Sequence, residues 1–234
     1  MSQAKENAAA AALEFVEDGM TLGLGSGSTA EIFIELLGAR VAGGLKVQGV
    51  PTSQGTAECA KENGVPLIDA DRVSRIHLTI DGADEVDPAF NLIKGGGACL
   101  LREKIIAHAS DKMVVIADSS KMVEDLGAFS LPVEVDPFGM AITAEQIYAA
   151  LKQSGCKDAQ TTLRQKKDGS GPLVTDGGHY ILDCKCELIP SPVNTALLLG
   201  QIPGVMEHGL FIDIADIIVI GEDDHAKVME LSRE

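Results

Sequence analysis

Met20-Thr21-Leu22-Gly23-Leu24-Gly25-Ser26-Gly27-Ser28-Thr29-Ala30 is the stretch on which the reading of the fold turns. Met20 to Leu24 is a short strand running into a glycine loop, and the apolar spacing from Ser28 to Leu37 predicts a helix directly after it. Glycines let the backbone turn tightly and expose N–H groups, while a helix start adds partial positive charge, so the segment is a phosphate cradle in principle. Gly25-x-Gly27-x-x-Ala30 satisfies a dinucleotide fingerprint, but Val47 to Gln54, about 20 residues on, offers no carboxylate for an adenosine ribose. NAD is therefore disfavoured. A P-loop is excluded, because no lysine follows a final glycine. What remains is a turn whose amides and hydroxyls suit a compact phosphomonoester. The plainer alternative is a strand-to-helix connector with Ser28 as its N-cap.

Outward from this loop the chain alternates. An alanine-rich helix is expected from Ala4 to Val16, and short apolar strands at Val47–Val50, Pro66–Ile68, Ile76–Ile80 and Met113–Ala117. Helical segments near Thr56–Glu62 and Ala98–Ala109 separate them. Such alternation implies an α/β fold, a Rossmann-like parallel sheet with helices on both faces. After Lys121 the pattern changes to Leu131–Val135, a helix around Ala144–Lys152, and strand candidates at Thr161–Arg164, Leu173–Thr175 and Tyr180–Asp183. These read as a smaller α+β domain, with Lys166 to Gly171 as a polar hairpin connection. Asp216 to Gly221 is again a buried strand that rejoins the first sheet. The expected division is 1–130 with 208–234 for the Rossmann-like domain and 131–207 for the smaller one.

The 234 residues carry 19 Lys plus Arg against 35 Asp plus Glu, a net charge of −16. That balance argues against nucleic-acid partners and against docking on an anionic membrane. Eight aromatic residues, six Phe and two Tyr, leave little for base stacking. The five cysteines are scattered without Cys-x-x-Cys pairs, so reduced thiols are expected. With neither a signal-like start nor a long apolar run, the expectation is a cytoplasmic protein.

Further motifs carry chemistry. Ser53-Gln54-Gly55-Thr56 repeats small hydroxyl residues at a strand end, a weak signal taken alone. The next strand ends in Asp81-Gly82-Ala83-Asp84-Glu85-Val86-Asp87, where open α/β folds place their ligands. The spacing of Asp81, Asp84 and Asp87 does not fit a calcium loop. Two carboxylates there could hold Mg²⁺, accept hydrogen bonds from sugar hydroxyls, or simply cap a turn. Lys94-Gly95-Gly96-Gly97-Ala98 joins an ammonium to backbone donors, as an oxyanion stabiliser requires. Glu103 follows on a helix whose positions at minus four, minus three, plus three and plus four are Cys99, Leu100, Ile106 and Ala107. A carboxylate on that face is directed inward or sits at its margin, and desolvation there raises proton affinity toward the range of a general base. Alternatively it tops the stripe and pairs with Lys104 or another cation.

Gly25-Ser26-Gly27-Ser28-Thr29, Asp81-Gly82-Ala83-Asp84-Glu85, Lys94-Gly95-Gly96-Gly97-Ala98 and Arg102-Glu103-Lys104-Ile105-Ile106-Ala107 together closely resemble ribose-5-phosphate isomerase of the A type. The likeness continues through Asp118-Ser119-Ser120-Lys121, Leu131-Pro132-Val133-Glu134-Val135, Thr175-Asp176-Gly177-Gly178 with Ile181-Leu182-Asp183, and Ile202-Pro203-Gly204-Val205. It covers nearly the whole chain in order. Departures are mild: Ser26 stands where some relatives carry Thr, and His179 where the pattern often has Asn.

The resemblance implies interconversion of D-ribose 5-phosphate and D-ribulose 5-phosphate through a cis-enediolate, in the non-oxidative pentose phosphate pathway. It implies Glu103 as the base between C2 and C1, and Asp81 and Asp84 on sugar hydroxyls, with Asp81 helping to open the ring and the adjoining Gly82 and Ala83 lining the substrate. It implies Lys94 and the amides of Gly95, Gly96 and Gly97 at the oxyanion. Ser26, Gly27, Ser28 and Thr29 would take the phosphate, with Lys121 and Lys5 adding positive charge. No metal and no organic cofactor are implied; a homodimer is, with a tetramer as the variant. Competing readings are a sugar-phosphate sensor, which the absence of room for a helix-turn-helix disfavours, and a coenzyme A transferase-like use of Glu103 as nucleophile. All the catalytic assignments require four loops distant in sequence to serve one pentose.

Overall fold

The computed structural model describes residues 2–231, in two compact units. The first contains the residues up to Ala83, Arg102–Met122 and those from Asp213 on; the second contains Asp84–Leu101 and Val123–Ile212. The chain begins with α1 (Gln3–Leu13), β1 (Thr21–Leu24), α2 (Ser28–Ala42), β2 (Gln48–Pro51), α3 (Gln54–Glu62) and β3 (Leu78–Gly82). It passes through β4 (Glu85–Val86) and β5 (Leu92–Ile93), then α4 (Leu100–His108) and β6 (Met113–Asp118). The second unit continues with β7 (Leu131–Val135), α5 (Met140–Gln153), β8 (Gln160–Leu163), β9 (Tyr180–Lys185), α6 (Pro192–Gly200), β10 (Val205–His208) and β11 (Leu210–Phe211). The strands β12 (Ile217–Gly221) and β13 (Ala226–Glu230) complete the first.

The first unit is built on a six-stranded sheet in the order β13-β12-β6-β3-β1-β2, parallel except for the antiparallel edge strand β13. Helices cover both faces, which is the Rossmann-like α/β architecture expected. Leu22 and Leu24 of β1 and Leu78 and Ile80 of β3 share one core with Phe33, Ile34 and Leu37 of α2. Because strand side chains alternate, Gly23 and Thr79 face the other way. There a Cβ on Gly23 would stand 2.6 Å from Ile106 of α4, so α4 packs on the opposite face. Burial at Ala4, Ala8 and Ala12 recurs every fourth residue of α1, a small-residue stripe that lets this helix lie close on β12. The expected helix to Val16 stops at Leu13, and the chain tightens through Phe15 N–H to Ala12 C=O and Val16 N–H to Leu13 C=O.

Two expected strands are reduced to single bridges, each beside a proline that lacks a ladder donor. Pro66–Ile68 pairs with β2 only at Leu67 and Gly49, and Leu173–Thr175 is replaced by the Gln165–Pro172 bridge.

The second unit has a four-stranded antiparallel sheet, β10-β7-β9-β8, over a core that includes Leu131, Val133, Val135, Ile147, Leu151, Leu182 and Leu199. Residues 208–212 and segment 84–101 group here, whereas the expected division put both with the Rossmann-like domain. The two short strands of segment 84–101 join β11 in a three-stranded sheet, and the buried Glu85 carboxylate accepts the amides of Gly127 at 2.7 Å and Phe129 at 2.5 Å. Those bonds also draw residues 123–130 into the second unit. Residues 1 and 232–234 of the expected division lie outside the described residues.

Candidate active site

In the first unit the chain passes from β1 to β2 on one side and then crosses back to β3 on the other side of β1, so the switch in strand order falls between β1 and β3. Ligands of open α/β sheets bind beyond the strand ends at this place. The loop following β1 and the end of β3 meet here. Gly25 N–H donates to Ile80 C=O at 2.9 Å, and Ser26 N–H donates to Asp81 Oδ1 at 3.1 Å. The same oxygen accepts Gly82 N–H at 2.7 Å. Asp81 is completely buried, so these donors fix a carboxylate that water does not reach.

The cradle itself is formed by Gly27 at φ +105°, a conformation that favours glycine, followed by the first turn of α2. Gly27 is the N-cap, and Ser28 is already the first helical residue. The amides of that first turn have no partners within the helix, which suits them to a phosphate. Lys5 Nζ donates to Ser28 Oγ at 2.8 Å, placing the most weakly signalled of the candidate cations against the loop. Lys121 closes a 3-10 turn at Ser119–Lys121, beyond the carboxyl end of β6, the strand beside β3.

A further layer supports the loop from beneath. Ser26 Oγ lies 2.9 Å from the hydroxyls of Thr52 and Ser53 and 2.8 Å from that of Thr56. Thr56 Oγ1 donates to Gly25 C=O at 3.0 Å, and Thr52 Oγ1 to Leu24 C=O at 2.9 Å. The Ser53–Thr56 turn, weak as a sequence signal, is therefore the cradle's second wall. Thr52, Ser53 and Thr56 are the residues that sequence reasoning left out of the site. Their hydroxyl spacing was visible, but their pairing with Ser26 is long-range.

Glu103 is 4% exposed on α4. Ile106, one turn further along the same helix face, packs with Val50 and Ile76. By strand alternation Thr79 and Asp81 lie on the sheet face that α4 covers, and Thr79 Oγ1 meets Ser110 Oγ at 2.6 Å just beyond α4. Glu103 and Asp81 thus belong to one face of the sheet, both withdrawn from solvent. Carboxylates seldom stand so deep without a task or a partner.

In the second unit Lys94 is 3% exposed, with its Nζ 5.4 Å from the centre of the Phe211 ring. That distance is a cation–π contact. Its backbone amide donates to Gly209 C=O at 2.8 Å. The turn that follows has two positive-φ residues: Gly95 at +107°, which glycine adopts freely, and Ala98 at +59°, where a Cβ makes the conformation costly. Gly96 N–H donates to Asp84 Oδ2 at 2.8 Å, joining two of the sequence-read residues directly. No group of three or more His, Cys, Asp or Glu suited to a metal ion occurs among the described residues. Nor is any described helix long and apolar enough to cross a membrane.

In the first unit, a Rossmann-like sheet with a glycine loop at its switch point and two buried carboxylates on one of its faces fits an enzyme of small phosphorylated sugars. The chain belongs to the ribose 5-phosphate isomerase A (phosphoriboisomerase A) family, whose model matches residues 48–225. It is 64% identical over 227 residues to the ribose-5-phosphate isomerase A of Maricaulis maris, covering 97% of each chain. Against the enzyme of Bradyrhizobium diazoefficiens the identity is 53%, over 98% of this chain and 96% of the relative. Among solved structures, ribose 5-phosphate isomerase from Plasmodium falciparum superposes with a TM-score of 0.92 at 32% identity, covering 100% of both chains. A D-ribose-5-phosphate isomerase in complex with phospho-erythronic acid gives 0.89 at 39% identity, covering 98% of each. The chain is accordingly an isomerase that interconverts ribose 5-phosphate and ribulose 5-phosphate.

Proposed function

We propose that Glu103 is the base of this isomerisation, taking the proton from C2 of ribose 5-phosphate and returning it to C1 of the enediolate. The observation that carries the assignment is its depth: a carboxylate 4% exposed, on the sheet face that also holds Asp81. Asp81 and Asp84 accept hydrogen bonds from the sugar hydroxyls, beside Gly82 and Ala83, and Asp81 assists ring opening. Lys94 and the amides of Gly95 and Gly97 stabilise the oxyanion that builds up on O1 and O2, the Gly96 amide of the same turn being given to Asp84. Gly27, Ser28 and Thr29 bind the phosphate through helix-start amides, backed by Ser26, with Lys5 and Lys121 supplying charge.

The acid of the solved relative fits this scheme chemically. Counting carbons from the phosphate of a terminally phosphorylated erythronic acid, its planar carboxylate stands at C2 of the pentose, where the enediolate becomes planar and anionic. A positioned base and a preorganised donor set each contribute on the order of 10²-fold. The net charge of −16 opposes a phosphosugar at long range, but remote carboxylates are screened over about 8 Å at physiological salt, so contact donors dominate.

Incubation with ribose 5-phosphate in deuterated water tests the base. The wild-type protein should exchange the C2 proton and give ribulose 5-phosphate, whereas Glu103→Gln should bind the sugar and lose exchange by about 10²-fold or more. Near-normal exchange in the variant removes Glu103 from the mechanism.

We also infer a homodimer in the cytoplasm. In support, the second unit exposes Ile142 and Tyr148 on α5 and Val193 and Leu197 on α6, helices that pack on one another. All five cysteines are unbridged, as a reducing compartment allows. Sedimentation equilibrium decides the assembly: a monomer at micromolar concentration rejects it, and a tetramer extends it.

A further inference from the structure

The guanidinium of Arg164, just beyond β8, makes two sets of contacts within the second unit. On one side Nε and Nη2 donate to the two oxygens of Asp183, at 2.9 and 2.5 Å, the bidentate geometry in which an Arg–carboxylate pair is most rigid. On the other, Nη1 donates to Gly95 C=O at 2.9 Å and to Gly96 C=O at 3.1 Å. The Arg164 side chain is 14% exposed and that of Asp183 27%, so the pair is largely shielded from water.

A trans peptide is planar, with its C=O and N–H pointing in opposite directions. A cation that captures the Gly95 carbonyl therefore fixes the direction of the Gly96 amide, which donates to Asp84 Oδ2 at 2.8 Å. Captured in the same way, the Gly96 carbonyl directs the Gly97 amide away from Arg164. Within the turn Gly95 C=O accepts Ala98 N–H at 3.0 Å, but this one bond leaves the Gly96 and Gly97 peptides to be fixed from outside, since consecutive glycines have the widest choice of alternatives. Positive charge on the carbonyl end of a peptide also polarises its N–H into a better donor.

We propose that Arg164, locked by Asp183, is a positioning residue for the isomerisation, clamping the Gly95 and Gly96 carbonyls so that the Gly97 amide is held ready as an oxyanion donor. The proposal rests on the reading of Lys94 to Gly97 as the oxyanion stabiliser. Arg164 acts through the backbone and does not touch the sugar.

The test compares Arg164→Met, Arg164→Lys, Asp183→Asn and Lys94→Met in the full chain. It reads kcat and KM for ribose 5-phosphate, the inhibition constant of erythronic acid 4-phosphate, and thermal melting by circular dichroism. Both Arg164 variants should lower kcat by ~10- to 100-fold and weaken the inhibitor by a similar factor, because a misaimed amide is lost to the enediolate and to its mimic alike. KM should stay within about threefold, as the phosphate is held elsewhere. Lysine should not restore the activity, since an ammonium cannot span a carboxylate and two carbonyls in one plane. Asp183→Asn should fall between Arg164→Met and wild type. A folded Arg164→Met protein with kcat within about twofold of wild type overturns the proposal, as does a lower kcat with unchanged inhibitor affinity, or full rescue by lysine. If Lys94→Met is also neutral, the oxyanion reading itself fails. If Lys94→Met is crippled and Arg164→Met is not, only the clamp is wrong.

Discussion

Asp81 occupies the space in which a side chain on residue 25 would have to stand. A Cβ built on Gly25 falls 2.2 Å from Asp81 Oδ1 and 2.6 Å from Asp81 Cα. The second distance involves backbone, so rotating the carboxylate cannot relieve it. Glycine at 25 is thus what allows the loop after β1 to lie directly on the buried acid.

Gly25→Ala should therefore separate the loop from Asp81 without removing any functional group. Overpacking of this kind costs roughly 1–3 kcal/mol of stability, a loss that denaturant titration measures. The kinetic effect should be larger than the stability effect suggests, with kcat/KM down by about 10²-fold, because a 1 Å displacement at a reacting centre has that cost. An alanine variant with wild-type kinetics would show that contact between loop and acid is dispensable.

Much of the candidate site was legible in the sequence because its signals are local. Gly25 to Thr29 announce a turn and a helix start within one short window, and the inward direction of Glu103 follows from residues no more than one helical turn away. The hydroxyl bond from Thr56 to Gly25 C=O spans 31 positions, and the guanidinium bond from Arg164 to Gly95 C=O, in the lysine–glycine turn, spans 69. Neither leaves a periodic trace. Two-residue strands such as β4, β5 and β11 are too short for alternation to register, which is why segment 84–101 was assigned to the wrong neighbours. Pro66 and Pro172 worked the other way: their neighbours have strand-like composition, yet the missing N–H limits each to one bridge.

Thr56→Val probes the wall beneath the cradle. The change keeps the shape but removes the donor to Gly25 C=O and the contact with Ser26 Oγ, leaving buried polar atoms unsatisfied at about 1–3 kcal/mol. A softened phosphate loop should raise KM for ribose 5-phosphate by roughly 10-fold with kcat within about threefold, the signature of lost uniform binding. An equal fall in kcat with KM unmoved would place Thr56 in the chemical step instead.

Gly221 predicts a different kind of failure. At the end of β12, a Cβ here would stand 1.7 Å from Ala4 C=O and 3.0 Å from Ala8 N, so α1 could not remain where it is. Gly221→Ala should destabilise the first unit by several kcal/mol, at the upper end of single substitutions, and shift Lys5 away from Ser28 with the helix that carries it. The paired substitution Lys5→Met alone should affect KM but not melting. If Gly221→Ala melts like wild type, the close seating of α1 on β12 is wrong.

Alkaline stability follows from Cys184. It is completely buried on β9, and burial first, then the charge of Asp183 and the neighbouring Cys156, holds its thiol far above the ordinary value of 9.0. A group whose folded value is raised stabilises the fold fully below its unfolded value and loses that contribution as pH climbs toward the folded one. Above pH 9 the unfolded thiol sheds its proton while the folded one keeps it, so stability falls with pH by roughly 1.4 kcal/mol per unit for this one group. Cys186 and Cys156 share a hydrogen bond that raises the first thiol and lowers the second, so their contributions oppose one another. Cys184→Ala should lower stability at neutral pH by removing a buried sulfur, yet flatten the decline between about pH 9 and 11 by one proton's worth. Urea titrations at several pH values measure both effects. Parallel curves for the two proteins would mean that Cys184 ionises in the folded state, and that the core around it admits a charge.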